Sequence, residues 1–407
     1  MNSSDRLRLY DKENIQDIVL PKSESADLAM AYWLPMMRVG SAAYINNVHA
    51  QLYLLVIDDV VLPITVNDET YENSYVCSFY SHYITYAKEE LRTLQSPKLE
   101  VLLAQLIDSV GYLLKATCIN QAVIVNNWML STNLYPDLSA QQLDEITNFL
   151  KQVFPKHAIA FRSINESTES SIKADLKVLG YQMVGSRQVY LYDSQHPTLC
   201  ANRQRRRTRY LKQDRKLFET TGYQVVDAGD IRSEEIHRII ELYNLLYLEK
   251  YSYNNPQFSE NFIAQACALA TCQRSIGQKR HEWESHLPFL EIQALRKNGR
   301  IDAVVGFYIA NGVMTTPLLG YDTHLPKQLG LYRMLTACII NAGERRGLLI
   351  NQSSGAADFK RRRGFSSCVE YSAVWHRHLP LYRRVGWWFL GAVVQAIAIP
   401  LMKYYKL

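Results

Sequence analysis

Cysteine is scarce and scattered: seven in 407 residues (Cys77, Cys118, Cys200, Cys267, Cys272, Cys338 and Cys368), with no C-x-x-C pair among them. An odd, unclustered set excludes a disulfide framework and argues against a cysteine-held metal, so no metal is expected. Glycine (18) and proline (13) are too few for a collagen-like or low-complexity chain. Residues 1–19 alternate charges with isolated apolar positions and lack the continuous apolar core of a secretory signal. The expected compartment is therefore a reducing one, the cytoplasm. What is present is the material of globular domains, with 48% hydrophobic and 21% charged residues. At this length one core rarely suffices, so two domains are expected. The net charge of +6 is unevenly placed, and much of the positive charge sits at 203–216, 360–363 and 376–384.

Periodicity places the elements. After a polar leader (1–27), residues 51–66 read as a hairpin turning at Asp58-Asp59. Residues 75–86 alternate aromatic and small polar side chains, as a strand does. Leu102, Leu103, Leu106, Ile107, Val110, Leu113 and Leu114 mark one face of a helix over 99–115. A strand at 121–130, a helix at 139–153 capped by Ser139, a short strand at 158–163, a helix at 170–179 stopped by Gly180, and a strand at 183–192 complete a first module, 28–193. A polar break at 194–204, with His196 and Pro197, separates it from a second module, 205–377.

The second module opens on a basic helix. Its cations occupy most positions and surround the helix without forming one stripe. Then come a strand at 223–227, helices at 233–251 and 259–271, and strands at 289–296, 301–310 and 313–321 joined by Asn298-Gly299 and Asn311-Gly312 turns. A helix at 331–346, a strand at 348–351, a short helix at 356–363 and a strand at 365–375 close it. Both modules thus share one ending, in which Gly180-Tyr181 corresponds to Gly364-Phe365. The fold class expected is α+β or α/β, with a mixed, largely antiparallel sheet flanked by helices in each module.

This order resembles GNAT acyltransferases, in the branch that includes Fem-type aminoacyltransferases and related two-module proteins. The resemblance rests on the basic helix 205–216 followed by Thr221-Gly222-Tyr223, on Gly320-Tyr321-Asp322 with Pro326 and Gly330-Leu331-Tyr332, and on Phe359-Lys360 before Gly364-Phe365. It covers most of 201–377. It implies a donor pyrophosphate at the N-terminus of the 331–346 helix, where backbone amides and the helix dipole converge. The cradle would be Gln328, Leu329, Gly330, Leu331, Tyr332 and Arg333, with Lys360 binding phosphate or carboxylate. Typical family members carry a small residue where Tyr332 stands. That departure widens the expected donor from acyl-CoA to acyl-phosphopantetheine on an acyl carrier protein, or to a charged tRNA. The equivalent junction of the first module, 132–139, has no glycine, and no donor site is expected there.

Acyl transfer to an amine needs a base, a polarised carbonyl and a proton for the leaving group. A backbone amide of 317–321 is the expected polarising group. Asp322 and Glu291 are the expected bases, and Tyr321 or Tyr371 the expected acid. The basic helix lacks interleaved aromatics, so sequence-specific nucleic-acid reading is not expected. In the tail (378–407), residues 385–402 are apolar except Gln395 and are flanked by Arg383-Arg384, Trp387-Trp388 and Lys403-Tyr404. Such flanks suit membrane-surface contact, and a packed terminal helix is the alternative. The leading function is N-acyl transfer from a thioester to a small-molecule amine. The alternatives are aminoacyl transfer from tRNA and a non-catalytic membrane-peripheral binding protein.

Overall fold

A computed structural model describes residues 6–91, 96–193, 195, 201–276 and 289–405. Most of the polar break read at 194–204, including His196 and Pro197, lies outside them. Twelve described strands form one continuous sheet: β1 (Leu7–Tyr10), β2 (Gln51–Ile57), β3 (Val60–Asn67), β4 (Ala122–Val125), β5 (Ala158–Ile164), β6 (Gln182–Asp193), β7 (Gln224–Asp227), β8 (Glu291–Lys297), β9 (Arg300–Ala310), β10 (Val313–Tyr321), β11 (Leu349–Asn351) and β12 (Ser366–Trp375). Their spatial order is β1-β2-β3-β4-β5-β12-β6-β11-β10-β9-β8-β7. The molecule is a mixed α/β protein with helices on its sheet, and each half runs from antiparallel strands to a parallel pair.

The order holds a feature that periodicity alone does not show: the two halves exchange their last strands. β6, at the end of the first half, pairs antiparallel with β11 of the second. β12, at the end of the second half, pairs antiparallel with β5 of the first. β6 and β12 also pair with each other, Ser366 to Val374 against Leu191 to Gln182, which welds the halves at the centre of the sheet. Both exchanged strands follow the same device, a glycine at φ +97° (Gly180, Gly364) that turns the chain out of a short helix.

The cores are shared as well. Tyr32 of the first half stacks on Phe289 of the second at 4.4 Å between ring centroids, and Trp128 lies 6.0 Å from Tyr308. Leu7–Tyr10, within the stretch read as a leader, forms the edge strand beside β2.

Residues 75–86, expected as a strand, are instead a turn that enters a helix over 81–90. The alternation there is genuine, but side-chain caps override it. Ser78 Oγ accepts from the Ser81 amide (2.9 Å) and buried Asn120 Oδ1 accepts from the Tyr80 amide (2.8 Å). The tail is a helix, Leu381–Tyr404, long and apolar enough to cross a membrane. One side of it packs on the protein through Trp387, Leu390, Val394 and Ile399. Gly185 on β6 admits it, since a Cβ there would lie 2.7 Å from Ile399 Cδ1. The opposite side exposes Leu381, Tyr382, Val385, Trp388 and Phe389.

Candidate active site

The parallel pair β10 and β11 is short, joining only Val313, Met314 and Thr315 to Leu349, Ile350 and Asn351. β10 continues to Tyr321, so beyond Thr315 its edge toward β11 has no strand partner among the described residues. A β-bulge between Thr315 and Leu318 marks the departure. Leu318 and Gly320 face the helix Ile236–Tyr247 so closely that a Cβ on Gly320 would fall 2.5 Å from the Leu242 carbonyl. The alternation of a strand turns Leu319 and Tyr321 to the other face, toward the helix Leu331–Arg346.

A cavity of about 590 Å³ opens at this divergence. Thr316, Leu319 and Tyr321 of β10 line one side, Tyr332 another, and the loop 352–356 with Phe359 and Lys360 a third. Residues 246–247, 249–251 and Asn255 add a further wall, and the first half contributes Tyr75, Tyr86, Glu89, Ser131 and Arg187. In the first half the loop after β4 is buried and tied down, with Tyr135 Oη donating to Arg162 O (2.6 Å) and Asn126 Nδ2 to Leu134 O (2.8 Å).

The structure brings Tyr321, Tyr332 and Lys360 together in this cavity. Tyr332 sits between Tyr321 (6.0 Å) and Phe359 (4.8 Å), and burial pushes its hydroxyl far up, keeping it protonated. Lys360 Nζ donates to the carbonyls of Gln352 (2.6 Å), Ser353 (3.3 Å) and Ser354 (2.8 Å), so it organises the loop that forms the cavity wall. Burial, with the Arg187 charge adding, pulls its ammonium down to about 7.

Gly330 takes φ +72° as the residue before the helix, and the first described intrahelical donor is Met334, to Gly330 O at 3.0 Å. The amides of Leu331, Tyr332 and Arg333 precede that first i→i−4 bond. Leu217 of the basic helix packs against Gly330, where a Cβ would meet it at 2.7 Å. Gln328 and Leu329 form a single short turn, Lys327–Leu329, with no buried side chain. Arg333 Nε is held by Asp214 (2.7 Å), a fully buried carboxylate that also binds Arg363 twice (2.6 and 3.0 Å).

Asp322, Glu291 and Tyr371 are not among the residues lining the cavity. Asp322 is buried between Arg238 (2.6 Å) and Arg300 (3.0 Å) and accepts from the His324 amide. Burial alone would push its carboxyl up, but Arg238, the His324 amide and Arg300 outweigh it and hold it below its usual value. That environment favours a permanent charge over a proton acceptor. Glu291 forms a two-point pair with Arg346 at 2.8 and 2.6 Å. Tyr371, on β12, lies under Lys173 at 4.6 Å.

Three polar groups at the cavity have no counterpart among the residues expected from sequence. Gln352 is buried, yet both Nε2 and Oε1 lack a hydrogen-bond partner. Glu89 accepts a long hydrogen bond from Asn254 Nδ2 (3.4 Å) on one oxygen, while its buried Oε2 has no partner. Buried polar atoms left open cost free energy, and open groups on a cavity wall suit a ligand that completes them. Arg187 is the third. It is ion-paired to buried Glu370 (2.9 Å) and donates to Ser131 O and Thr132 Oγ1. Burial opposes its charge, but Glu370 more than offsets this and keeps the guanidinium protonated.

The basic helix, Ala201–Thr221, differs from the all-round distribution expected. Arg207 is buried, donating to Tyr192 Oη and Glu344, and Asp214 faces inward. Arg205, Arg209, Lys212 and Lys216 are exposed, and their spacing of four, three and four residues makes one outward stripe.

No family model matches the chain, and no curated protein does. Among solved structures it is similar to L-PGS from Bacillus licheniformis at 16% identity, covering 67% of this chain and 83% of that one, with a TM-score of 0.42. A conserved protein of unknown function from Bacteroides thetaiotaomicron is 13% identical over 92% of this chain and 98% of its own, with a TM-score of 0.43. FemX is 9% identical over 61% and 80%, with a TM-score of 0.41.

Proposed function

We propose that the protein transfers an acyl group from a thioester to an amine, in the cavity where β10 and β11 part. The observation that carries this reading is the set of unpartnered polar atoms, Gln352 Nε2 and Oε1 and Glu89 Oε2, on the walls of one cavity beside the open edge of β10. The amine nitrogen attacks the thioester carbonyl, the C–S bond breaks, and the thiolate leaves. Glu89 Oε2 receives the proton that the attacking amine releases, and Gln352 Nε2 donates to the oxygen that gains charge. Tyr321 supplies the proton for the thiolate. Lys360 acts one step back, since its three bonds to carbonyls hold the Gln352 loop in place. The pantetheine arm enters past Gly330 and Tyr332, with the amides of 331–333 nearest its phosphate. Asp322 and Glu291, with their arginines, support the second half as charged structural pairs.

A mass-spectrometric screen of acyl-CoA and acyl carrier protein donors against small amines tests the reading. Product is expected with the wild type. Gln352→Ala is expected to lower kcat by roughly 10²–10³-fold, as loss of one oxyanion donor does. Glu89→Gln is expected to lower it by about 10²–10⁴-fold. No product from any thioester with folded protein would sink the reading and favour a non-catalytic binding protein.

A second reading, aminoacyl transfer from tRNA, draws on the exposed stripe of Arg205, Arg209, Lys212 and Lys216, which lies on the helix that packs against Gly330. Changing all four to Gln is expected to reduce the slope of log affinity for tRNA against log salt by up to about four, near one for each phosphate no longer neutralised. An unchanged slope rules this reading out. Whichever donor is used, the outward face of the C-terminal helix is proposed to rest on a membrane surface, with Trp388 and Phe389 in the interface.

A further inference from the structure

A second cavity, of about 190 Å³, adjoins the first. Tyr75, Tyr86, Arg187 and Ser354 line both, so the two share a neck. Beyond the neck the walls are mostly aliphatic, with the ring of Tyr83 among them. Leu390, Val394 and Leu401 come from the C-terminal helix, and Leu103, Ile107 and Val110 from the helix Pro97–Ala116. The polar groups gather at one side. Ser186 and Arg187 lie on β6, where the register with β12 shifts between Glu370 and Tyr371, and His82 is held to Ser186 Oγ at 2.9 Å. A space with one polar end and an aliphatic remainder matches an amphiphile, with its functional group at the neck and nothing polar beyond it. An apolar cavity of this kind excludes water and favours hydrocarbon. At about 30 Å³ per water-sized group in a liquid, 190 Å³ holds on the order of six or seven methylene groups.

We infer that this cavity holds the hydrocarbon tail of a medium-chain acyl group, whose carbonyl lies through the Arg187–Ser354 neck in the Gln352 cavity. The inference rests on the transfer reading and names the class of group transferred: an unbranched acyl chain of roughly eight carbons. The donor is favoured over an amphiphilic acceptor because Ser354, at the neck, belongs to the loop that Lys360 binds and that carries Gln352. The C-terminal helix then has a function in the site, as the roof over the chain.

Binding of fatty acids from four to sixteen carbons to the full-length protein is measured by isothermal titration calorimetry. Affinity is expected to rise about fourfold per methylene to roughly eight carbons and then to level. Ala398→Trp and Ala87→Phe, which fill the cavity, are expected to abolish this dependence. Gln105→Trp on the exposed face of the helix Pro97–Ala116 leaves it intact, and circular dichroism confirms folding of each variant. In the transfer assay, acyl thioesters of about eight carbons are expected to have higher kcat/KM than acetyl thioester, and Ala398→Trp to reverse the order. A flat chain-length profile, or one unmoved by both filling variants, overturns the assignment. Chain-length dependence confined to an amphiphilic amine with a short acyl donor overturns the donor assignment. Chain binding without any transfer product would sink the transferase reading and leave the hydrocarbon site standing. Acetyl transfer without chain binding would do the reverse.

Discussion

At the scale of single residues, charge burial separates the groups that hold the protein together from those open to a ligand. Glu169 is buried and accepts from Asn165 Nδ2 (2.8 Å) and from Thr168 Oγ1. Burial pushes its carboxyl up to about 8, Thr168 pulls it back in part, and the charge of Glu370 adds to the rise. The sign of its pH dependence follows. Between the unfolded value near 4.3 and about 8, the folded state keeps a proton that the unfolded state has released. Stability therefore falls as pH rises across that window. Urea midpoints are expected to drop by a measurable amount from pH 5 to pH 8 in the wild type, at up to ~1.4 kcal/mol per unit. The Glu169→Gln variant is expected to flatten the curve; an identical slope would show that Glu169 titrates as an ordinary carboxylate. Keeping Glu169 neutral also leaves Glu370 as the charged partner of Arg187, beside the cavity.

At the scale of elements, the same segment often serves two surfaces. The C-terminal helix buries Trp387 and Leu390 against the protein and exposes Trp388 and Phe389 on the other side. Burying each exposed ring in a membrane interface is worth about 1.5–3 kcal/mol. Trp388→Ser with Phe389→Ser is accordingly expected to weaken binding to phosphatidylglycerol vesicles by more than about tenfold without moving the melting temperature. Equal vesicle partitioning of wild type and variant would rule out this face. The basic helix shows a similar division. Asp214 and Arg207 tie its inner face to the 331–346 and 357–362 helices, while the exposed stripe remains for a polyanion.

At the scale of the whole molecule, strand exchange makes the halves interdependent. Residues 1–193 without β12 leave one edge of β5 open, and residues 194–407 without β6 leave β11 short of a partner. Open strand edges aggregate. Each half expressed alone is expected to be insoluble, and the two co-expressed to form a soluble pair that purifies together. A soluble, monomeric half with a cooperative melt would contradict this. Exchange also builds the cavity, because β6 carries Arg187 to the wall opposite β10.

Local grammar made most elements legible. The Asn298-Gly299 and Asn311-Gly312 turns adopt the positive φ expected, at 50° and 77° and at 48° and 73°. Ser139 caps its helix in a full capping box, and the helix Leu331–Arg346 has the limits its glycines imply. These features depend on neighbours a few residues away, which a sequence displays directly. The strand expected at 75–86 was decided by Asn120, some forty residues distant. The arrangement of the cavity lay further still from view. Tyr321, Tyr332 and Lys360 sit in one half, but Glu89 and Arg187 arrive from the other. Glu89 stands in the sequence as one acidic residue of an ordinary Lys-Glu-Glu run. The sequence by itself determined most of the elements, their order and the doubled plan, because periodicity, caps and turn residues act over short range. Tertiary structure alone decided that the halves trade strands, that Asp322 is a paired charge, and that open polar groups from distant segments face one cavity. Burial and pairing belong to the packed chain, and no local pattern records them.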